Sequence, residues 1–477
     1  MPSCARLPIA LVRRLQPPKR VGNPLQVGNL PHNQYMDQRY EDLLGAAILG
    51  IDTLWGGDVM CPSGTGRFIA DSWFSDEPLP SAYTHPAAAR VRETGGVSSR
   101  QPDNEAIEAY LAAIDIPAAI HGVKLEAAKF GGLRRDYVAG LALCFETMFD
   151  LAMEILGKGS EVPYERCVMA STGRGPEPSD PAPKRERVAE LLGESGTATI
   201  DRWRHEHRIP MASIRTLGAA VIAYFDQLSA AHVTPYLPNA LRSVPRANIQ
   251  FLPIQDAWFS GSMNYLGRAR RADGSPEYEA TYEINASLEI SVPEFLQLVS
   301  HEVVPGHVTT FAYLQNLYWR GEVGFEASVL TMNTRAAALF EGIANNAILM
   351  AHGVTEVDKL PDKDLQVGVL LALLQDDAKN EASYLTWREG LPRPVVAKTL
   401  RSNFLVSEER AEKLSGAWGR HPLLGRMYLP AYRAGTEKVA RLRRMLPDAQ
   451  TLPALYGCSG LVDVTTIDRA ITSSAAS

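Results

Sequence analysis

Pro305 and Gly306 fall between two histidines in the run His301-Glu302-Val303-Val304-Pro305-Gly306-His307, and they interrupt any helix that enters it. Proline removes an i to i−4 hydrogen bond, and glycine tolerates dihedrals closed to other residues. A mostly apolar stretch, Val292 to Val299, leads into the run, and Val308 to Tyr318 is again compatible with a helix. The chain is therefore expected to carry a helix to His301, bend or break it, and resume. On an unbroken helix six residues turn through about 600°, which leaves the two imidazoles roughly 120° from superposition. The metallopeptidase spacing of two histidines four residues apart on one helical face is absent, because Pro305 holds the second position. The interruption is what can bring His307 back to His301.

Two neutral imidazoles suit a borderline cation, and an adjacent carboxylate can handle a proton on a bound water. A further donor is sought in the apolar pattern Ala336 to Met350, which encloses Glu341. A buried carboxylate without a partner is costly, so Glu341 is either a ligand or half of a buried ion pair. Gly342 beside it lets another helix approach closely. His301, His307 and Glu341 together make an N,N,O set suited to zinc (Zn2+), and Glu302 remains free as a base. Taken singly, each histidine in a chain of this size is more often structural or exposed.

Helical periodicity dominates the rest. Leu133 to Leu156 places Val138, Leu141, Phe145, Met148 and Ala152 at helical intervals, and Ser213 to Leu228 does the same with Ile214, Leu217, Val221, Ile222 and Phe225. Further helices are expected from Asp42 or Leu43 to Thr53, and over Glu105–Ile114, Arg185–Leu192, Leu365–Tyr384, Ser407–Trp418 and Glu437–Met445. Ser75 to Asn104 reads as a loop, Gly173 to Lys184, with four prolines, as an exposed linker, and the tail from Thr465 as loose. Between Asn248 and Leu288 the texture changes to short alternating pieces such as Glu279 to Ile284, which predicts a few strands. Pro293 suits a first helical turn, with Ser291 placed to cap it. The expectation is a mainly α chain with a small β element before the motif helix. It divides into an N-terminal lead-in and helical region (1–119), a helical catalytic region (120–450) and a C-terminal tail (451–477).

Composition narrows the function classes. The 477 residues carry 54 acidic and 48 basic side chains, a net charge of −6, with no basic stripe interleaved with aromatics, so nucleic acid is not expected. The five cysteines, Cys4, Cys61, Cys144, Cys167 and Cys458, form no CxxC pair, and reduced thiols are expected. The apolar tripeptide Ile9-Ala10-Leu11 is too short for a signal core, and no uninterrupted apolar run reaches the ~20 residues of a membrane span. These features give a cytoplasmic expectation without a membrane partner. His205-Glu206-His207 sits among Arg202, Arg204 and Arg208 and reads as an exposed charged helix. Asp376, Asp377 and Lys379 read as another solvated face, and Gly173-Arg174-Gly175 lacks the Lys-Ser/Thr ending of a phosphate loop.

The His-Glu-x-x-Pro-Gly-His run and the later Glu341-Gly342-x-Ala344 resemble the two motifs of the bacterial DUF885 proteins, a helical group beside the zincin metallopeptidases. The second motif has Ile343 where the family has tryptophan, and Tyr282-Glu283-Ile284-Asn285 before the first is also similar. A degenerate third match runs from Arg420 to Tyr432-Arg433-Ala434-Gly435. The resemblance covers roughly residues 120 to 450. It implies a zincin-like metallohydrolase fold, with His301, His307 and Glu341 as zinc ligands and Glu302 as the base. Tyr432 is then the first candidate for an oxyanion donor, with Tyr428 or His421 as alternatives, although all three could simply pack helices together. Arg420 is expected either to bind a substrate carboxylate or to pair with an internal acid, and Tyr428 is a further candidate substrate contact. Departures at Val308, Ile343, Asn346 and Ile348 predict a reshaped pocket and unusual specificity.

The expected activity is zinc-dependent hydrolysis of a peptide or small-molecule amide. The alternatives are a metal-dependent, non-hydrolytic enzyme acting on a small metabolite and a noncatalytic metal-binding protein. The expected partner is a small peptide or amide substrate, and a homodimer is allowed.

Overall fold

The periodicity of Leu133 to Leu156 is realised as the helix Gly132–Ile155, whose Val138, Leu141, Phe145, Met148 and Ala152 are all buried. It belongs to a computed structural model that describes residues 38–475, apart from 57–66, 100, 195, 256–260, 287–288 and 330. The architecture is predominantly α-helical with one small sheet. One apolar cluster runs from Tyr40 to Ile471, so the first and last described helices share a core. A smaller cluster lies under Val188, Ile200 and Trp203.

The sheet has three strands, β1 (Ile249–Ile254), β2 (Gly261–Tyr265) and β3 (Ala280–Asn285), in the order β1-β3-β2. β3 is parallel to β1 and antiparallel to β2. Its buried face carries Ala280, Tyr282 and Ile284, the alternation expected of a half-buried strand. The chain then enters the motif helix Val292–Glu302, where the Ser291 side chain accepts from the Glu294 amide and Pro293 occupies the first turn. Glu294 also accepts from the Ser291 hydroxyl at 2.7 Å, which closes the cap from both sides.

Other stretches differ from expectation. Ser75 to Asn104 is not simply a loop: it contains Ser81–Thr84 and Pro86–Thr94, the second begun by Pro86 in its first turn and by the His85 side chain accepting from Ala87. The segment expected to be loose from Thr465 forms the helix Ile467–Ala475, and Ile467, Ala470 and Ile471 are buried. Asp463 organises its start by accepting from the Thr465 and Thr466 amides. The proline-rich segment after Gly173 is strapped down: Glu381 accepts from the Ser179 amide, and Asn380 donates to the Glu177 carbonyl. The expectations for the irregular first 37 residues, for Pro62-Ser63-Gly64, and for Cys4 and Cys61 lie outside the described residues. Cys144, Cys167 and Cys458 are free and buried. Among the described residues no single helix is long and apolar enough to cross a membrane. Only the bent pair Asn104–Ala113 and Ile116–Ala127 passes on length and composition taken together.

Candidate metal centre

The motif helix ends at Glu302, and a new helix, His307–Trp319, begins at the second histidine. Between them the Val304–Pro305 peptide is cis. A Cβ at Gly306 would lie 1.8 Å from the His301 carbonyl oxygen, so only glycine lets the backbone fold back this closely. His301 and His307 thereby meet edge to face, ring centroids 4.7 Å apart.

Glu341 arrives from the helix Arg335–Asn345, which crosses the helix Leu429–Met445 at a pair of glycines. A Cβ on Gly342 would stand 2.3 Å from the Gly435 carbonyl oxygen, and one on Gly435 would stand 1.7 Å from that of Ala338. This crossing sets Glu341 against Tyr428 and Tyr432. The Tyr428 hydroxyl donates to Glu341 Oε1 at 2.5 Å, and the Tyr432 hydroxyl donates to Tyr428 at 3.0 Å.

The ligand atoms of His301, His307 and Glu341 all lie within 4.8 Å of one another. His301 Nε2 is 3.5 Å from Glu341 Oε2, and His307 Nε2 is 3.6 Å from Oε1. Bonds of about 2.0–2.2 Å at tetrahedral angles place donor atoms roughly 3.3–3.5 Å apart, so these separations fit a zinc-sized cation. Two further observations support the fit. Glu341 Oε2 is buried with no hydrogen-bond partner. His301 Nδ1 is 2.7 Å from Asn345 Oδ1, and Asn345 Nδ2 donates to Thr436 Oγ1 at 2.8 Å. The asparagine is thus oriented to accept from His301 Nδ1–H, which leaves Nε2 with its lone pair toward the cluster.

Electrostatics in the set are governed by burial and by the charge on Glu341. Burial, then the neighbouring His307, pushes His301 down to about 3, so its imidazole is neutral. Burial alone would raise Glu341, but His307 and then His301 hold it down at about 2, ionised. Burial would likewise lower His307, and the Glu341 carboxylate overrides this and raises it. Glu302 is pushed up to about 7, by burial first, with His307 opposing.

A cleft of about 450 Å³ reaches the cluster at His301, and its lining includes Glu302, Asn345, Asp376, Lys379, Tyr428 and Tyr432. Two π-helical turns, Leu414–Trp418 and Leu424–Tyr428, contribute Trp418, Leu424 and Tyr428 to its wall. Such turns recur where a helix is distorted to aim functional groups.

Not every residue singled out from the sequence comes to the cleft. His421 Nδ1 accepts from the Leu423 and Leu424 amides, and its ring lies 5.8 Å from that of Trp55, so it organises a turn. Arg420 is exposed and donates to the Leu391 carbonyl. His205 is exposed near Glu289, as a charged surface helix predicts. The solvated face assigned to Asp376, Asp377 and Lys379 is corrected, since all three are buried. Their helix, Lys363–Ser383, is apolar on every side between Val367 and Leu374, a sign of burial all round that the charges obscure. Asn345, Thr436 and the Asp376–Lys379 pair are the site residues that sequence reasoning missed.

No family model and no curated protein matches the chain. Among solved structures it is similar to "the putative lipoprotein from Colwellia psychrerythraea", at 15% identity and a TM-score of 0.49 over 81% of this chain and 73% of that one. It is also similar to "a putative lipoprotein of unknown function from Shewanella oneidensis", at 13% identity and a TM-score of 0.46 over 88% and 83%. Both descriptions run against the cytoplasmic expectation, which does not stand.

Proposed function

We propose that the chain is a divalent-metal-binding protein whose open centre serves a reaction on a small molecule. The observation that carries this is the buried His301–His307–Glu341 set with its pre-oriented imidazole. Three protein donors leave a coordination position open, whereas structural zinc sites are normally closed by four. Within this reading the zincin-like fold and the kinship with DUF885 proteins are the framework, and zinc is the first choice of metal.

Amide or peptide hydrolysis is the finer reading, and it rests on Glu302. A divalent cation held there supplies Lewis acidity toward a water and a carbonyl oxygen. Glu302, poised near neutrality and lining the cleft, accepts a proton from the water and returns it to the leaving nitrogen. Tyr432 is the candidate donor to the developing oxyanion, once its hydroxyl turns from Tyr428 toward the cleft. That same hydrogen bond favours a second reading, a non-hydrolytic or noncatalytic metal site, because the phenol proton already has an acceptor.

The test is metal analysis and turnover of the wild type beside Glu302→Gln and Glu341→Ala. Near-stoichiometric zinc in wild type, retained metal without turnover in Glu302→Gln, and weakened metal binding in Glu341→Ala are expected. Wild type without metal after loading would sink the proposal. Metal binding with no amine released from any peptide or small amide would leave the second reading in place.

A further inference from the structure

Lys379 is buried to 8% exposure and lines the same cleft as His301 and Glu302. Its ammonium donates to Asp376 Oδ1 at 3.0 Å and stands 3.2 Å from the centroid of the Tyr432 ring. An ammonium has three donors. Among the described residues Asp376 is the one hydrogen-bond acceptor found for it, and the aromatic face offers a second, weaker contact. Donors left over on a buried charge are costly unless a ligand accepts from them.

The other cations along the cleft are engaged differently. Arg204 donates to Glu294 and to the Leu405 carbonyl, Lys413 pairs with Glu409, and Arg410 lies over the Trp418 ring. Among the cations lining the cleft, Lys379 is thus the buried one, braced by one carboxylate and one ring face. Asp376 fixes it from behind, and Thr436, which accepts from Asn345, lies 3.5 Å from Asp376 Oδ2. The lysine and His301 are therefore positioned by one group of buried side chains.

We propose that Lys379 is the anion anchor of the cleft, and that the molecule presented to the metal centre carries a carboxylate that accepts from this ammonium. The inference rests on the metal-centre reading for the second half of the molecule, not for the anion contact itself. A single ammonium with acids nearby, Asp376, Glu294 and Glu409 among the lining residues, suits one carboxylate better than a phosphate dianion.

The test compares acetohydroxamate, a chelator without a carboxylate, with succinic acid monohydroxamate, which adds one, by calorimetry on the zinc-loaded protein. Wild type is expected to bind the second at least about tenfold more tightly, the effect of one charge-assisted hydrogen bond. Lys379→Met alone would strand Asp376, so it is paired with Asp376→Asn, and Lys379→Arg is run beside it. In the double variant the ratio of the two affinities should fall to about unity, whatever the affinity for acetohydroxamate itself. Equal binding of the two ligands by wild type, or a preference that survives loss of Lys379, overturns the proposal. If zinc does not bind, the metal reading fails separately, and succinate is titrated into the metal-free protein. Binding lost in the double variant then supports the anion anchor, and its absence in wild type refutes it. Methyl phosphate binding as tightly as acetate would also overturn the choice of carboxylate.

Discussion

Gly435→Ala tests the helix crossing on which the candidate centre depends. The added Cβ would lie 1.7 Å from the Ala338 carbonyl oxygen, where carbon and oxygen need about 3.3 Å, so the helices must part by roughly 1.6 Å. Backbone is the obstacle, and no side-chain rotation relieves it. Overpacking of this kind costs about 1–3 kcal/mol. The Tyr428–Glu341 and Asn345–Thr436 hydrogen bonds span the same interface, and their loss adds roughly 1–3 kcal/mol. The variant should lose about 2–6 kcal/mol in all, read as a lower urea midpoint at unchanged slope. Zinc affinity, measured by competition with a chromophoric chelator, should fall about 10–100-fold, because Glu341 and His301 both lose their supports. Gly175→Ala is the control, since a Cβ there meets open space. If Gly435→Ala matches that control in both measurements, the glycine crossing does not position the centre.

Asn345→Leu removes the acceptor of His301 Nδ1–H and should weaken zinc binding about tenfold while leaving the far-UV spectrum unchanged, as chelator competition and circular dichroism will test. Arg134→Met leaves fully buried Glu326 without its ion-pair partner and should cost about 3 kcal/mol in urea unfolding. His421 is held down at about 4 by burial, below its unfolded value near 6.5. The unfolded chain therefore binds the extra proton, and this contribution is present above about pH 6.5 and lost as pH falls through 4. The loss is roughly 3 kcal/mol, and melting curves of His421→Gln should be flatter than wild type across that window.

Much of this arrangement is legible in the sequence because it is local. Pro305-Gly306 forces the break that returns His307 to His301, and Gly342 announces a close helix approach beside Glu341. The strands and the Ser291 cap follow from patterns a few residues long. What escapes depends on partners far along the chain. Asp376 and Lys379 look solvated until the helix that carries them is seen to be enclosed on all sides. Asn345 gains meaning only from Thr436, 91 residues away. The helix Pro86–Thr94 is hidden by the prolines around it, although Pro86 stands where a proline starts a helix. Arg420 is picked out by a weak local motif and His421 as an alternative donor, and the turn that holds them faces them elsewhere.

The spacing of the donors has a consequence for synthesis. A growing chain presents both imidazoles together, with the glutamate following 40 residues after the first of them. Tyr428, which braces Glu341, appears a further 87 residues later. A ribosome-bound intermediate thus offers two imidazoles with no carboxylate, and then a carboxylate with no brace. Either is a weak trap for stray cations, and tight capture awaits docking of the helix Leu429–Met445. On the proposed metal reading, selection of the cation is thereby deferred until the helix Leu429–Met445 has been made.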